Sequence, residues 1–240
     1  MARTLYIGDT HCPFMHPKYP EFLDRVREKH QCNKVVHIGD LIDNHVPSFH
    51  SSETDAEGAK READQAEEQA QKLYDLFPKV KLCLGNHDRI PVRKAKEAAI
   101  PARWLKDFLK AMNAPPGWRA NDRWEIDGTM STHGTTCGKN AHLTLAEKSR
   151  QSAVMGHTHS FGGVGYMTSH HDIIFGLQVG CGIDCGKYAF RYGKDFTNRP
   201  TLGCGVVIDG FEAVFEPMIL RNKRLRKPQI LVPEYSGRKK

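Results

Sequence analysis

The chain has 240 residues, a formal charge of +7, 39% hydrophobic and 26% charged residues. That suits one α/β domain with a full core or two small ones, and no run approaches the ~18 apolar residues of a membrane span. The opening MARTLYIGD enters a strand-like pattern without the apolar stretch of a secretory signal, so a cytoplasmic location and no membrane partner are expected.

Residues 4–8 (TLYIG) read as a short buried strand ending at Asp9. Residues 17–29, opened by Pro17, read as a helix, and 34–39 (KVVHIG) as a second strand ending at Asp40. A longer helix is predicted over 53–77. Its Ala56, Ala59, Ala63, Ala66, Ala70, Leu73 and Phe77 recur at steps of three and four, a narrow stripe for packing on the domain's own sheet. Residues 80–85 (VKLCLG) end at Asn86. Residues 89–122 hold five prolines and glycines, a helix expected near 101–112, and Trp104, Phe108 and Trp118. They read either as a cap over a site or as a connection whose aromatics fill the core.

Residues 153–156 (AVMG) end at His157. Strands are expected at 163–168, 172–179, 203–208 and 211–216, with Asp209-Gly210 as the turn of the last hairpin. Apolar runs bounded by glycine imply strands buried on both faces, and strand–helix alternation implies α/β layers. The domain is expected over 1–220. Beyond it, Arg221, Lys223, Arg224, Arg226, Lys227, Arg238, Lys239 and Lys240 face one acid, Glu234, so the charge of the whole chain resides in a tail that is either a solubilising segment or a contact for an anionic partner. Lys187, Arg191, Lys194 and Arg199 alternate with Tyr188, Phe190, Tyr192 and Phe196, a pattern for packing under a sheet or for stacked bases and phosphates. The cysteine count is odd, and Cys181 and Cys185 have no second pair to complete a zinc site, so free thiols are expected.

The strand ends collect the chemistry. They read Asp9-Thr-His11, Gly39-Asp40-Leu-Ile-Asp43, Gly85-Asn86-His87-Asp88, Thr132-His133-Gly134 and Gly156-His157-Thr158-His159. Ligands gather at the carboxyl ends of strands in such sheets. Mixed imidazole and carboxylate donors suit Mn, Fe, Zn or Ni better than Mg or Ca. The i, i+2 spacing in Asp9-x-His11 and His157-x-His159 would place each pair on one face of an extended strand. Glycines beside the ligands would let the backbone turn tightly. A word such as GNHD arises by chance in roughly one chain in a thousand of this size, whereas His16, His30, His45, His50, His142, His170 and His171 read as ordinary.

The series D-x-H, GD-x-x-D, GNHD, H and GHTH over residues 9–159 resembles the calcineurin-like metallophosphoesterase superfamily. The resemblance implies a four-layer α/β/β/α sandwich with mixed sheets and a two-metal site. It implies that Asp9, His11, Asp40 and His159 hold one metal, and that Asp40, Asn86, His133 and His157 hold the second, with Asp40 bridging. Manganese is the first expectation, with Fe, Zn or Ni as alternatives. His87 would face the substrate, and Asp43 matches the position that orients this histidine in the protein-phosphatase branch. A water activated between the metals would attack phosphorus in line, with His87 as general acid. Asn86 and Arg89 are candidate substrate contacts, Arg89 either clamping a phosphate or pairing with Asp88 or another surface acid. The expected substrate is a phosphoester, with a lean to phosphodiesters, nucleotides or nucleic acid. The alternatives are a phosphoprotein phosphatase, against which Asn44 stands where that branch has arginine, and a non-catalytic scaffold with the same fold.

Overall fold

The computed structural model describes residues 1–47, 58–184, 186 and 199–220. The basic tail and nearly all of the 185–199 pattern lie outside the described residues.

Eleven strands form two sheets among them. The first has the order β11-β10-β1-β2-β3-β4, from Glu212–Pro217, Gly203–Ile208, Arg3–Ile7, Lys34–His37, Val80–Cys83 and Trp118–Asn121. β1 to β4 run parallel, and β10 and β11 close that edge antiparallel. The second has the order β5-β6-β7-β9-β8, from Arg123–Ile126, Thr129–Thr132, Ala153–Met155, Ile173–Val179 and Gly162–Thr168. Its β6, β7 and β9 are parallel, with an antiparallel strand at each edge. Asp209 and Gly210 turn β10 into β11 with positive φ at both positions, as the DG pair predicts.

Side-chain alternation along single strands divides the core into layers. On β1, Leu5 and Ile7 join the cluster beneath helices α1 (Tyr19–Lys29) and α2 (Ala59–Leu76), with Leu23, Val26, Leu73 and Phe77. Tyr6, between them in sequence, points the other way and packs with Val36, Ile38, Val154, Leu177 and Val207 between the sheets. Helix α5 (Ala141–Ser149) covers the outer face of the second sheet through Ala146, Met130 and Ala153. The result is a helix–sheet–sheet–helix sandwich, as the motifs imply.

The helical stripe of α2 is only half as expected. Ala66, Ala70, Leu73 and Phe77 are buried, but Ala59 and Ala63 are exposed and Glu62 is buried in their place, while Ala56 lies outside the described residues. Glu62 accepts the backbone N–H groups of His45 and Val46, so its carboxylate pins the loop after β2 to the helix.

Residues 89–122 depart further. A helix α3 (Ile90–Glu97) precedes the expected one, and 101–112 splits into a 3₁₀ turn, Ala102–Trp104, and a single-turn helix α4, Phe108–Ala111. Asp107 caps α4 by accepting from Leu109 and Lys110 N–H, and the backbone ahead of it is extended. Trp118 fills the core and donates its indole N–H to Phe77 O. Trp104 does not: it is 74% exposed.

Candidate metal centre

The parallel strands of both sheets deliver their carboxyl ends to one edge. Sheet one contributes Asp9, His11, Asp40 and Asn86, and sheet two contributes His133, His157 and His159. Asp9 and Asp40 are fully buried, and His11 and His133 nearly so.

The donor atoms converge on two adjacent positions. Asp9 Oδ2 lies 2.9 Å from His159 Nε2, which lies 3.2 Å from His11 Nε2. Asp40 Oδ2 lies 3.5 Å from His11 Nε2 and 3.3 Å from His133 Nε2, so it belongs to both groups. His133 Nε2 is 2.9 Å from Asn86 Oδ1 and 3.1 Å from His157 Nδ1. Donors bound at ~2.0–2.2 Å to one cation stand about 2.8–3.6 Å apart, which spans the 2.9–3.5 Å between these atoms. The groups Asp9–His11–Asp40–His159 and Asp40–His133–His157 can each hold a metal ion.

The rings are held for that purpose by their remote nitrogens. Asp43 Oδ1 accepts from His11 Nδ1 at 2.6 Å, and Ile38 O accepts from His133 Nδ1 at 3.1 Å. His157 Nε2 faces Cys137 Sγ at 3.3 Å. A carboxylate or carbonyl can only accept, so Nδ1 of His11 and His133 carries hydrogen and Nε2 is the nitrogen turned inward. Asp9 Oδ1 is buried without a hydrogen-bond partner among the described residues. Each of these features fits a bound cation.

The electrostatics point the same way. Burial would raise the carboxyl pKa of Asp40, but His133 and His11 hold it far below the ordinary range. Burial likewise opposes ionisation of Asp9, and His133 and His159 overcome it. Burial depresses His133, yet Asp40 and Asp9 push it up to about 9. Burial pushes down His11 despite Asp43, and His157 with help from His133. The cluster therefore draws positive charge toward Asp40 while keeping two imidazoles neutral and able to bind metal.

His11 and His157 have φ of 46° and 69°, so neither of the i, i+2 pairs lies on an extended strand. Asp9 and His11 still meet at one position, but His157 and His159 part: Nδ1 of His157 faces His133, and Nε2 of His159 faces Asp9. The glycines also act differently than expected. At Gly85 a Cβ would stand 2.1 Å from Asp40 Oδ1, and at Gly156 it would stand 2.1 Å from Asp9 Oδ1. Those glycines make room for the ligand carboxylates. Gly39, at φ +109°, and Gly134, at φ +98°, are the two required for the backbone path itself.

His87 donates Nδ1–H to Asp43 O at 2.5 Å, while the Asp43 carboxylate is 3.4 Å away and directed to His11. Asp43 thus orients His87 chiefly through its backbone and His11 through its side chain. Burial lowers the His87 pKa, but Asp40 and Asp43 raise it overall. Arg89 is turned to Asp122 at 2.5 Å, and Asp88 is buried instead, accepting from Gly85 and Ile42 N–H.

Four supporting residues escape a reading of ligand types. Buried His37 accepts from Gly39 N–H and bonds Thr10 Oγ1, joining the first two ligand loops. Gln178 donates to Gly156 O and Thr158 O, bracing the last. Asn44 donates to His87 O, and Cys137 backs His157. Of these, His37 alone carried a signal, an imidazole inside an apolar strand.

The sequence model for calcineurin-like phosphoesterases matches residues 2–175. The chain belongs to that family. Among solved structures, this calcineurin-like phosphoesterase is similar to YfcE, a phosphoesterase from E. coli, at 16% identity and TM-score 0.46, covering 85% of this chain and 87% of that one. Vps29 of Cryptosporidium parvum shows 14% identity, TM-score 0.43 and coverage of 90% and 97%. The nuclease MPE of Pseudomonas putida shows 13%, 0.35, and 90% and 87%. No curated protein matches the sequence. Among the described residues, no helix is long and apolar enough to cross a membrane.

Proposed function

We propose that this family member is a metal-dependent phosphoester hydrolase with a preference for phosphodiesters. The observation that carries the reading is the convergence of seven donor side chains on two positions that share Asp40 Oδ2. Asp9, His11, Asp40 and His159 would hold one divalent ion, and Asp40, Asn86, His133 and His157 the other, manganese being the first expectation for a mixed N/O set. Such a pair supplies a water nucleophile near neutral pH and neutralises charge on phosphoryl oxygens.

The protein's own residues do the rest. Asp43 O fixes Nδ1–H of His87, which leaves Nε2, bonded by no described residue, to give a proton to the leaving oxygen. Against burial, Asp40 and Asp43 raise the His87 pKa, which favours the protonated ring. Asn86 and His87 stand at the exposed rim, where a phosphoryl group would enter. Arg89 would have to leave its exposed pair with Asp122, worth at most about 1 kcal/mol, to join them.

Added manganese is expected to switch on hydrolysis of bis-p-nitrophenyl phosphate, and chelator to abolish it. A metal-loaded protein without turnover on any phosphoester would refute the reading and favour a scaffold. The phosphoprotein alternative draws on the 3.4 Å approach of Asp43 to His87, but Asn44 sits where that branch has arginine and is committed to His87 O. Faster turnover of phosphopeptides than of diesters would favour it.

A further inference from the structure

The three tryptophans of the chain are treated differently. Trp118 and Trp124 seat their indole N–H groups on Phe77 O and Leu82 O, and both are at least partly buried. Trp104 stands 74% exposed on the 3₁₀ turn, with Ile100 and Val92 also exposed in the same segment. Every residue from Lys96 to Asp107 except Leu105 is exposed. Within that stretch and at its end lie Lys96, Arg103, Lys106 and Lys110, all exposed and in no ion pair among the described residues. The acids nearby are already engaged: Glu97 with Arg93 and Lys94, and Asp107 as the cap of α4. Four cations and an indole face therefore share one exposed segment that stays net positive against its two acids, Glu97 and Asp107. Residues 1–220 are formally neutral as a whole, so this is a local concentration.

Its position matters. Helix α3 begins at Ile90, whose N–H bonds His87 O, so α3 leaves from the rim of the candidate metal centre and the segment follows at its other end. Ala99, at φ 53°, and the bonds from Ala98, Ala99 and Ile100 N–H close the helix, and the 3₁₀ turn folds back beside it.

We infer that the segment from Lys96 to Lys110 is a binding surface for single-stranded nucleic acid, with Trp104 stacking on a base and Lys96, Arg103, Lys106 and Lys110 holding phosphates. Stacking needs a base face that a duplex does not offer, and the cations need an anionic backbone of regular spacing. The segment is joined to His87 and Asn86 through the single helix α3. The inference rests on the phosphodiesterase reading for the fate of the strand, but binding is read without turnover.

The test is fluorescence anisotropy of labelled 12-mers of dT and rU with the full chain in chelator, tail present in every variant. W104A is expected to weaken binding about tenfold, in keeping with the worth of one stacked base, while W104F stays within about threefold because it keeps an aromatic face. Loss on either the dT or the rU arm supports the surface and names the sugar it prefers. Replacing Lys96, Lys106 and Lys110 with alanine is expected to flatten the salt dependence of binding. Hydrolysis of bis-p-nitrophenyl phosphate by W104A should equal that of the parent, since Trp104 touches no metal ligand. Binding by W104A within twofold of the parent, or an equal loss on duplex, would overturn the inference. Absence of diester hydrolysis in the parent would instead count against the catalytic reading alone.

Discussion

The loops that end β1, β2, β3, β6 and β7 and the segment from Lys96 to Lys110 treat charge in opposite ways. In the loops the carboxylates are buried and every ligand ring but that of His159 has a partner on its remote nitrogen, as Asp43 serves His11 and Ile38 O serves His133. Left-handed backbone at His11, Asp40 and His157 is tolerated because neighbouring loops are tied together by His37, Asp88 and Gln178. In the segment the charged side chains are exposed, and its two acids have only local partners, Glu97 in a pair with Arg93 and Lys94 and Asp107 as the cap of α4. A centre that must hold two cations a few ångströms apart needs its donors fixed before binding. A surface that follows a flexible polymer needs reach and exposure. The two lie within one short helix of each other.

The comparison breaks first at Asp40. Asp40→Asn removes the oxygen shared by both groups, and also weakens the acceptor for His87 N–H at 2.8 Å. Hydrolysis of a diester should fall by about 10³-fold or more, the equivalent of several kcal/mol of metal stabilisation. Elemental analysis should show fewer than two ions per chain. Full occupancy with near-normal rate would mean that Asp40 is not the shared ligand.

Gly156→Ala is the steric version of the same test. Its methyl would meet Asp9 Oδ1 at 2.1 Å and Ile38 Cγ2 at 2.4 Å, so the carboxylate must move. A loss on the order of 10²-fold in activity is expected, by the sensitivity of reacting geometry to displacements near 1 Å. In contrast, Ala98→Ser in the exposed segment should leave both rate and Tm unchanged.

Asp43→Asn separates two roles. The substitution removes the carboxylate from His11 but leaves the backbone carbonyl that holds His87. Manganese affinity is expected to fall about 10–100-fold, the usual cost of losing an outer-shell partner, with rate recovered at high metal. A lower rate at saturating manganese, without a change in metal requirement, would instead place Asp43 with His87. Chelation of the parent should lower Tm by about 5–10 °C, since a ligand at a hundred times its Kd adds about 2.7 kcal/mol. A Tm indifferent to chelator would show that the loops are fixed by their protein contacts alone.

Much of this was legible in the sequence because strand ends and ligand types coincide. A run such as KVVHIG followed by Asp40 states both the element and its chemistry, and eight predicted strands lie within two residues of those observed. The side chains that converge on the two candidate metal positions are named by the same coincidence. The connections did not follow. In residues 118–132, β4 and β5 are edge strands built from Arg, Asn, Glu and Trp as much as from apolar residues, and β6, although buried inside its sheet, reads TMST, so none of the three has an apolar run to mark it. The partition of His157 and His159 depends on a left-handed residue that spacing does not encode. Glu62 was invisible as a buried residue since its reason for burial, two N–H groups at His45 and Val46, lies across a loop.

The smallest effect is expected where a carboxylate is braced far from the centre. Glu216 on β11 accepts from Lys29 and His30 at the end of α1, each at 2.6 Å. Burial would raise its pKa, but these two partners overcome that and hold it below the ordinary value. A carboxyl group depressed in the folded state stabilises the fold above its unfolded pKa, near 4.3. That contribution disappears as pH falls through the lower folded value. Glu216→Gln should therefore lower Tm by about 1–3 °C at pH 7, corresponding to the ~0.2–1 kcal/mol of a partly exposed ion pair. The gap between the two proteins should close as the pH is taken down through 4 to 3, while diester hydrolysis at pH 7 is unchanged. A gap that persists at pH 3 would assign the loss to packing of the β11 edge. A change in hydrolysis would mean that the far end of the first sheet is coupled to the ligand loops, against the division drawn here between braced and exposed charge.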